Sequence, residues 1–377
     1  MLISATYICP VRGLASLDPP EPTRLLQAAK AAKSLGIEQL MLPVLEESLL
    51  GPSRSKVGFL DGLIQALDQV EDAGLTALLI APAQRVLGLH WVPPYLVRAL
   101  QDPKADAVFV DGRVRNLRAF EWWQDPSIIQ KRIKVFHELL DSVSGHAALM
   151  GWLILDRALE WSRPDLEQAE MALKAFIAEI RERDETGSIY LGLGLPELLD
   201  PEMAQVLARQ VDRVYISGGE RKPPGITTRA DLAGELESAS YLGIMARWLF
   251  ARPTEIELGW GILDNASEHQ ETMQGFKRLA SQGIAGANWI SLIDPEPNVY
   301  AHPPWVLRHG LERVGLINQG LEPKEYVGVW LKELGSGKPK DGIYDFIDIS
   351  KQEYLDAPHT HLPRLWDHFR ESIKYAD

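Results

Sequence analysis

Two short segments carry the residues whose types and spacing could do chemistry. Gly151-Trp152-Leu153-Ile154-Leu155-Asp156-Arg157 is an apolar run that ends in an acid and a base. Ile256-Glu257-Leu258-Gly259-Trp260-Gly261 is an apolar run with one acid, then glycines that allow a sharp exit. Each reads as a buried strand whose carboxyl end delivers charged side chains to a pocket. Two carboxylates at strand ends are the minimum equipment for cleaving a glycosidic bond. Arg157 stands where a second glutamate would serve that chemistry better, because a guanidinium keeps its proton at any usable pH.

Those segments belong to a regular alternation of apolar runs and amphipathic stretches. The spacing predicts strands at Leu2 to Cys9, Ile37 to Pro43, Leu75 to Ala81, Ala148 to Leu155, Ile189 to Leu193, Val211 to Ser217, Thr254 to Leu258 and Ala285 to Ile293. Helical periodicity falls between them, over Glu21 to Leu35, Phe59 to Ala73, Pro126 to Ser142, Leu166 to Arg183, Pro201 to Arg209, Arg229 to Leu242 and Ser267 to Gln282, with an eighth helix starting at Val306 and running to Val314. Pro22 suits a first helical turn, Gly36 and Gly74 suit helix stops, and Asp125 suits a cap. Eight strand–helix units predict an α/β protein with a (β/α)₈ TIM barrel. The competing doubly wound fold would carry G-x-G-x-x-G after its first strand, whereas Cys9-Pro-Val-Arg-Gly13 has one glycine. Ala83 to Trp123, with Pro93, Pro94, Pro103 and an extra strand at Ala107 to Val110, reads as an elaborated loop after strand three lying over the catalytic mouth. The barrel is expected over residues 1–335, with residues 336–377 as a C-terminal extension packed against it.

In such a barrel the carboxyl ends of the strands assemble the site. That rule collects Glu46 and Glu47 after strand two, His90 and Trp91 in the excursion, Asp156, Arg157 and Glu160 after strand four, Tyr215 in strand six, Glu257 and Trp260 from strand seven, and Trp289 and Asp294 from strand eight. Aromatic faces beside carboxylates suit a sugar, which stacks through its C–H face and hydrogen-bonds through its hydroxyls. Glu257 is the expected nucleophile, against a purely structural pairing with a barrel arginine. Glu160 or Asp156 is the expected acid, although an aspartate at a strand end often only caps a turn. Arg157 steers or neutralises a carboxylate. Tyr215 either hydrogen-bonds the nucleophile or fills the barrel. Trp289 is expected on the pocket floor, against ordinary core packing, and His90 and Trp91 along a subsite.

Composition narrows the partners. Hydrophobic residues make up 46 % of the chain and charged residues 24 %, the balance of a globular protein with a real core. Its 52 acidic and 39 basic side chains leave a formal charge of −13, which disfavours a nucleic-acid backbone and tolerates a neutral sugar. Cys9 is the only cysteine, so intrachain disulfides and thiolate metal clusters are excluded. His359-Thr-His361 is a weak pairing on an expected loop, and H-E-x-x-H is absent, so neither a metal nor a cofactor is expected. No run approaches the roughly 20 apolar residues of a membrane span, and the first residues make a poor signal peptide. A cytoplasmic setting is the resulting expectation.

The order of these motifs resembles the clan of retaining glycoside hydrolases built on a (β/α)₈ barrel, including the cellulase and β-galactosidase-like families. The resemblance runs from the first strand to Lys324. The clan's Trp-x-x-x-Asn-Glu strand is similar to Trp152-Leu-Ile-Leu-Asp156-Arg157, so its asparagine falls on Asp156 and its acid/base glutamate on Arg157. Its Glu-x-Gly-Trp nucleophile segment matches Glu257-Leu-Gly-Trp260, its strand-eight tryptophan falls on Trp289, and its Gly-Leu…Pro-Lys segment resembles Gly315 to Lys324. The resemblance implies a carbohydrate partner and Glu257 as nucleophile. With arginine at the acid/base position, either Glu160, Asp156 or an acid from another loop supplies the proton, or hydrolysis is lost and the pocket binds glycans or serves as a scaffold.

Overall fold

The computed structural model describes residues 1–11, 21–50, 53–83, 85–120, 122–157, 162, 164–217, 231–260, 269–307, 310–338, 340 and 343–374. Its strands are β1 (Leu2–Thr6), β2 (Gln39–Leu45), β3 (Thr76–Ala83), β4 (Arg85–Val86), β5 (Leu89–Trp91), β6 (Val97–Gln101), β7 (Ala107–Val110), β8 (Arg113–Ala119), β9 (Leu149–Ile154), β10 (Ser188–Leu193), β11 (Arg213–Ile216), β12 (Thr254–Leu258) and β13 (Gly286–Trp289). Eight of them close into a barrel in the order β1-β13-β12-β11-β10-β9-β3-β2, every neighbour parallel. The protein is a (β/α)₈ barrel.

Alternation along each strand divides the core in two. Ile3, Ala5, Leu40, Leu79, Trp152, Leu191, Val214, Ile256 and Trp289 pack outward against the helices. Met41, Leu78, Leu153, Tyr190, Tyr215 and Ile290 belong to a separate cluster inside the barrel, continuous with Trp91 and Phe109 of the excursion. Glycine makes room where the interior is tightest. A Cβ on Gly286 would lie 2.9 Å from Cδ of Glu255, whose carboxylate pairs with Arg213 at 3.2 Å near the amino ends of the strands.

Helices of the outer ring start where the sequence offers caps. Asp125 accepts from Ser127 N at 2.9 Å ahead of Pro126–Val143, and Asp165 with Gln168 forms a capping box ahead of Leu166–Arg183. The eighth unit departs from expectation. Val306 to Val314 contains two 3₁₀ turns, Trp305–Leu307 and Leu311–Arg313, while the helix that follows β13 is Val327–Ser336. Gly310, at φ 95°, and the Pro303-Pro304 pair break the apolar run before a helix can propagate.

The excursion after β3 is a small sheet in its own right, ordered β4-β5-β7-β8-β6. The extra strand expected at Ala107 to Val110 is β7, but its neighbours escape a periodicity reading because β4 and β5 are very short and β8 is largely polar. The rings of Trp91 and Phe109 meet at 4.4 Å with their planes tilted by 40° and join the interior cluster, so this sheet lies against the barrel. At the other end of the chain, Lys351–Asp356 and Pro358–Lys374 pack on the helix Leu232–Phe250. Tyr241 donates to the carbonyl of Leu362, and its ring meets those of Trp366 at 5.3 Å and Phe369 at 5.6 Å. His359 and His361 therefore sit on a helix rather than a loop.

Candidate active site

Glu257 is the centre of a polar cluster at the carboxyl ends of β9, β11, β12 and β13. Strand alternation turns it inward between Ile256 and Leu258, and it is buried. Its Oε2 accepts from the Tyr215 hydroxyl at 3.0 Å, while Oε1 accepts from the Ser217 hydroxyl and from Trp260 Nε1 at 2.8 Å. Tyr215 is itself held by Asn288 Nδ2 at 2.9 Å, and the same amide reaches Thr6 at 3.0 Å while Ser4 donates to its oxygen at 3.2 Å. Burial, and then the charge of Glu257, push the Tyr215 phenol well above its ordinary range, so it stays a donor.

The exit from β12 is built to place Trp260. Gly259 takes φ 107°, which disfavours any side chain, and both Gly259 N and Trp260 N donate to Glu235 at 2.7 and 3.0 Å. The half-buried indole folds back onto Glu257 through its N–H.

Opposite lies Asp156-Arg157. Leu155 and Arg157 both take left-handed backbone conformations, φ 49° and 50°, flanking Asp156. Such conformations cost of order 1–3 kcal/mol each and persist only where surroundings enforce them. Arg157 N donates to Gly192 O at 3.0 Å, which pins the turn to β10. The guanidinium grips both oxygens of Asp156 at 3.3 Å, donates from Nη1 to Ser217 Oγ at 2.7 Å, and lies 3.8 Å from Oε1 of Glu257. An ideal Cβ on Gly192 would fall 2.3 Å from Oδ1 of Asp156, so glycine there is what admits the carboxylate. Burial pushes the Asp156 carboxyl up, against the pull of Arg157.

Several neighbours were not singled out by sequence reasoning. Ser217 and Asn288 also lie at strand ends, yet small polar residues carry no periodic signal. Arg85 follows the end of β3 directly and is buried, with Nη1 3.5 Å from His90 Nε2, and its charge bears on Asp156. Glu197, buried after β10, accepts from Gly194 N at 2.6 Å, and burial raises its carboxyl.

Other expected site residues are placed elsewhere. Trp289 is directed away from the pocket floor proposed for it. Asn288 takes the inward position, so alternation sends Trp289 into the helix-facing core, where its indole donates to Val314 O at 2.7 Å. Trp91 is fully packed and donates to Val86 O at 3.3 Å, and His90 is buried beside Arg85 rather than lining an open subsite. Glu46 is tied to the buried Arg132 at 3.0 Å and to Tyr95. Asp294 holds Lys324 at 2.9 Å and Gly315 N at 2.8 Å. Glu47, half-buried, is pushed up to about 7 by burial and then by Asp111. Glu160 and Gly261 lie outside the described residues. Among the described residues no group of three or more histidine, cysteine or acidic side chains is placed to hold a metal, and no helix is long and apolar enough to cross a membrane.

The architecture is shared with glycoside hydrolases of known structure. A GH5_18 protein from Streptomyces cattleya, solved in complex with GlcNAc, superposes with a TM-score of 0.70 at 11 % identity, over 90 % of this chain and 82 % of that one. A GH5_18 protein from Bifidobacterium longum subsp. infantis matches with a TM-score of 0.67 at 12 % identity, over 90 % of this chain and 80 % of that one. An exo-β-1,4-mannosidase from Opitutaceae bacterium strain TAV5 gives 0.69 at 15 % identity, over 89 % of this chain but only 59 % of that one. No family model matches the chain, and no curated protein matches it in sequence. The likeness is one of fold, that of a (β/α)₈ barrel.

Proposed function

We propose that this chain is a carbohydrate-binding barrel of the glycoside-hydrolase type whose ordinary two-carboxylate hydrolysis has been disabled. The observation that carries this reading is the Arg157–Ser217–Glu257 bridge. Retaining hydrolysis needs a second carboxyl about 5–5.5 Å from the nucleophile to protonate the departing oxygen. The groups on Glu257 among the described residues are instead a phenol, a hydroxyl, an indole N–H and, at 3.8 Å, a guanidinium. None of these replaces a carboxylic acid as proton donor. The cluster remains suited to recognition: Glu257 is an oriented acceptor for sugar hydroxyls, and Trp260 offers an aromatic surface beside it.

A solved neighbour bound to Manβ1-4GlcNAc supports that disaccharide, with GlcNAc, as the first probe. Calorimetric titration of the parent and of Trp260→Ala and Glu257→Gln is the test, run beside a release assay with aryl glycosides. Saturable binding weakened by both substitutions, without turnover, is the expected outcome. Failure of a broad glycan panel to bind would return the chain to a scaffolding role.

The burial-raised carboxyl of Asp156 favours one second reading, in which Asp156 acts as the acid and Glu257 as nucleophile. Glu160 is the other acid open to that reading. Turnover of an unactivated glycoside, abolished by Glu257→Gln and by Asp156→Asn or Glu160→Gln, would establish it over the binding-only account.

A further inference from the structure

We propose a second binding site at the opposite end of the barrel, which takes an organic anion carrying a flat ring, of about the size of a nucleoside monophosphate. A cavity of about 560 Å³ lies where the last turn of the helix Leu232–Phe250 meets the turns that lead into β12 and β13, closed on one side by the tail. That volume is within the roughly 300–1,000 Å³ of small-molecule sites. Its walls carry three cations, Arg247, Arg252 and Lys351, and two aromatic rings, Trp248 and Tyr344, with no carboxylate among the described lining residues. In a chain of net charge −13, a concavity whose described charged groups are all positive is a local reversal of sign.

A plainer account is that the arginines cap helix ends, and they do. Arg247 Nη1 donates to Gln282 O at 3.0 Å, and Arg252 donates to the carbonyls of Ala208, at 3.1 Å, and Arg209. Capping leaves their charge intact, because a carbonyl is a neutral partner. Among the described residues neither guanidinium, nor Lys351, has a carboxylate within ion-pair distance. The capping bonds therefore hold two positive groups in fixed positions around a space, which is how an anion site is preorganised. Ala251, at φ 52°, turns the chain so that Arg247 and Arg252 fall on the same cavity.

The ring requirement comes from the aromatic walls. Arg247 lies over Tyr344 with 5.8 Å from its Cζ to the ring centroid, and Trp248 is half-buried against Tyr354 at 5.8 Å. A planar ligand entering there stacks on an indole or phenol while its phosphate or carboxylate meets the cations. The pocket joins the amino ends of β12 and β13, away from the mouth.

Titration of the full chain with AMP, followed by calorimetry, tests the proposal, with adenosine and inorganic phosphate as half-probes. AMP is expected to saturate, to weaken with added salt, and to bind more tightly than either half-probe. Lys351→Glu, at an exposed side chain, should weaken it by roughly tenfold or more, and Arg252→Gln should do the same if the fold survives the loss of its capping bonds. Glu257→Gln should leave binding unchanged. No saturation, equal affinity for Lys351→Glu and parent, or loss of binding in Glu257→Gln would overturn the site. Phosphate binding as tightly as AMP would overturn the ring requirement.

Discussion

Ser217 stands between Arg157 and Glu257, accepting from the guanidinium at 2.7 Å and donating to the carboxylate. A single hydroxyl thus couples the two strand ends on which the chemistry of the mouth depends. Asp156 completes the set by taking the opposite edge of the same guanidinium. Two buried carboxylates thus share one guanidinium.

Removing the cation should therefore be costly. Arg157→Met leaves Asp156 and Glu257 buried without the guanidinium that contacts both, and breaking such an arrangement costs about 3–5 kcal/mol. Chemical denaturation of the variant should show a loss of that order. Asp156→Asn added to Arg157→Met should recover part of it. Equal stabilities for the parent and Arg157→Met would show that the pair carries no net weight.

Gly192 should resist even the smallest side chain. Alanine would bring a methyl to 2.3 Å from Oδ1 of Asp156 and 2.7 Å from its Cα, so the backbone as well as the carboxylate must yield. The expected penalty is about 1–3 kcal/mol, accompanied by weaker glycan binding. A Gly192→Ala protein with the parent's denaturation midpoint would contradict the packing described here.

Glu47 predicts a pH signature. Its carboxyl in the fold is pushed up to about 7, above its ordinary value of 4.5, first by burial and then by Asp111. Between those values the folded chain holds more protons than the unfolded one, so this group's contribution to stability falls as pH rises through the window. Glu47→Gln should accordingly raise Tm relative to the parent at about pH 8, and the gain should vanish only below the lower value, by about pH 4. A gain that is the same at both pH values would assign the effect to something other than this carboxyl.

The two tryptophans at the strand ends should behave differently. Trp289→Ala removes a helix-facing core indole and should cost about 3–5 kcal/mol. Trp260→Phe should leave folding nearly intact while removing a hydrogen bond to Glu257, so its effect should appear in sugar binding. The reverse pattern would place Trp289 in the pocket after all.

That last distinction shows where sequence reading stops. Barrel strands were legible because their apolar runs are bounded by glycine and proline, and Glu257 and Asp156 stood out as acids at their ends. The orientation of Trp289 turned on one residue of strand parity, which only the register with Asn288 decides. Ser217 and Asn288 became visible only when distant strands met, as in the Asn288–Tyr215 contact 73 residues apart. Arg85 lay in a stretch with no period to follow. Arg157 beside Asp156, in contrast, is plain in one line of sequence, and its guanidinium lies 3.8 Å from Glu257.

The hydrogen bond from Ser4 to Asn288 spans 284 residues, and it joins the first barrel strand to the last. Contacts this remote slow folding, because the intervening chain must be ordered before they form. Asn288 is also what holds Tyr215 against Glu257, so the mouth is completed by the same event that closes the cylinder. A ribosome-bound chain that has not yet delivered β13 can carry Glu257 and Arg157 without the seam that aligns them. On the proposed function, sugar recognition would be a property of the finished circle, acquired late and in one step, and a glycan ligand would report on seam closure during refolding.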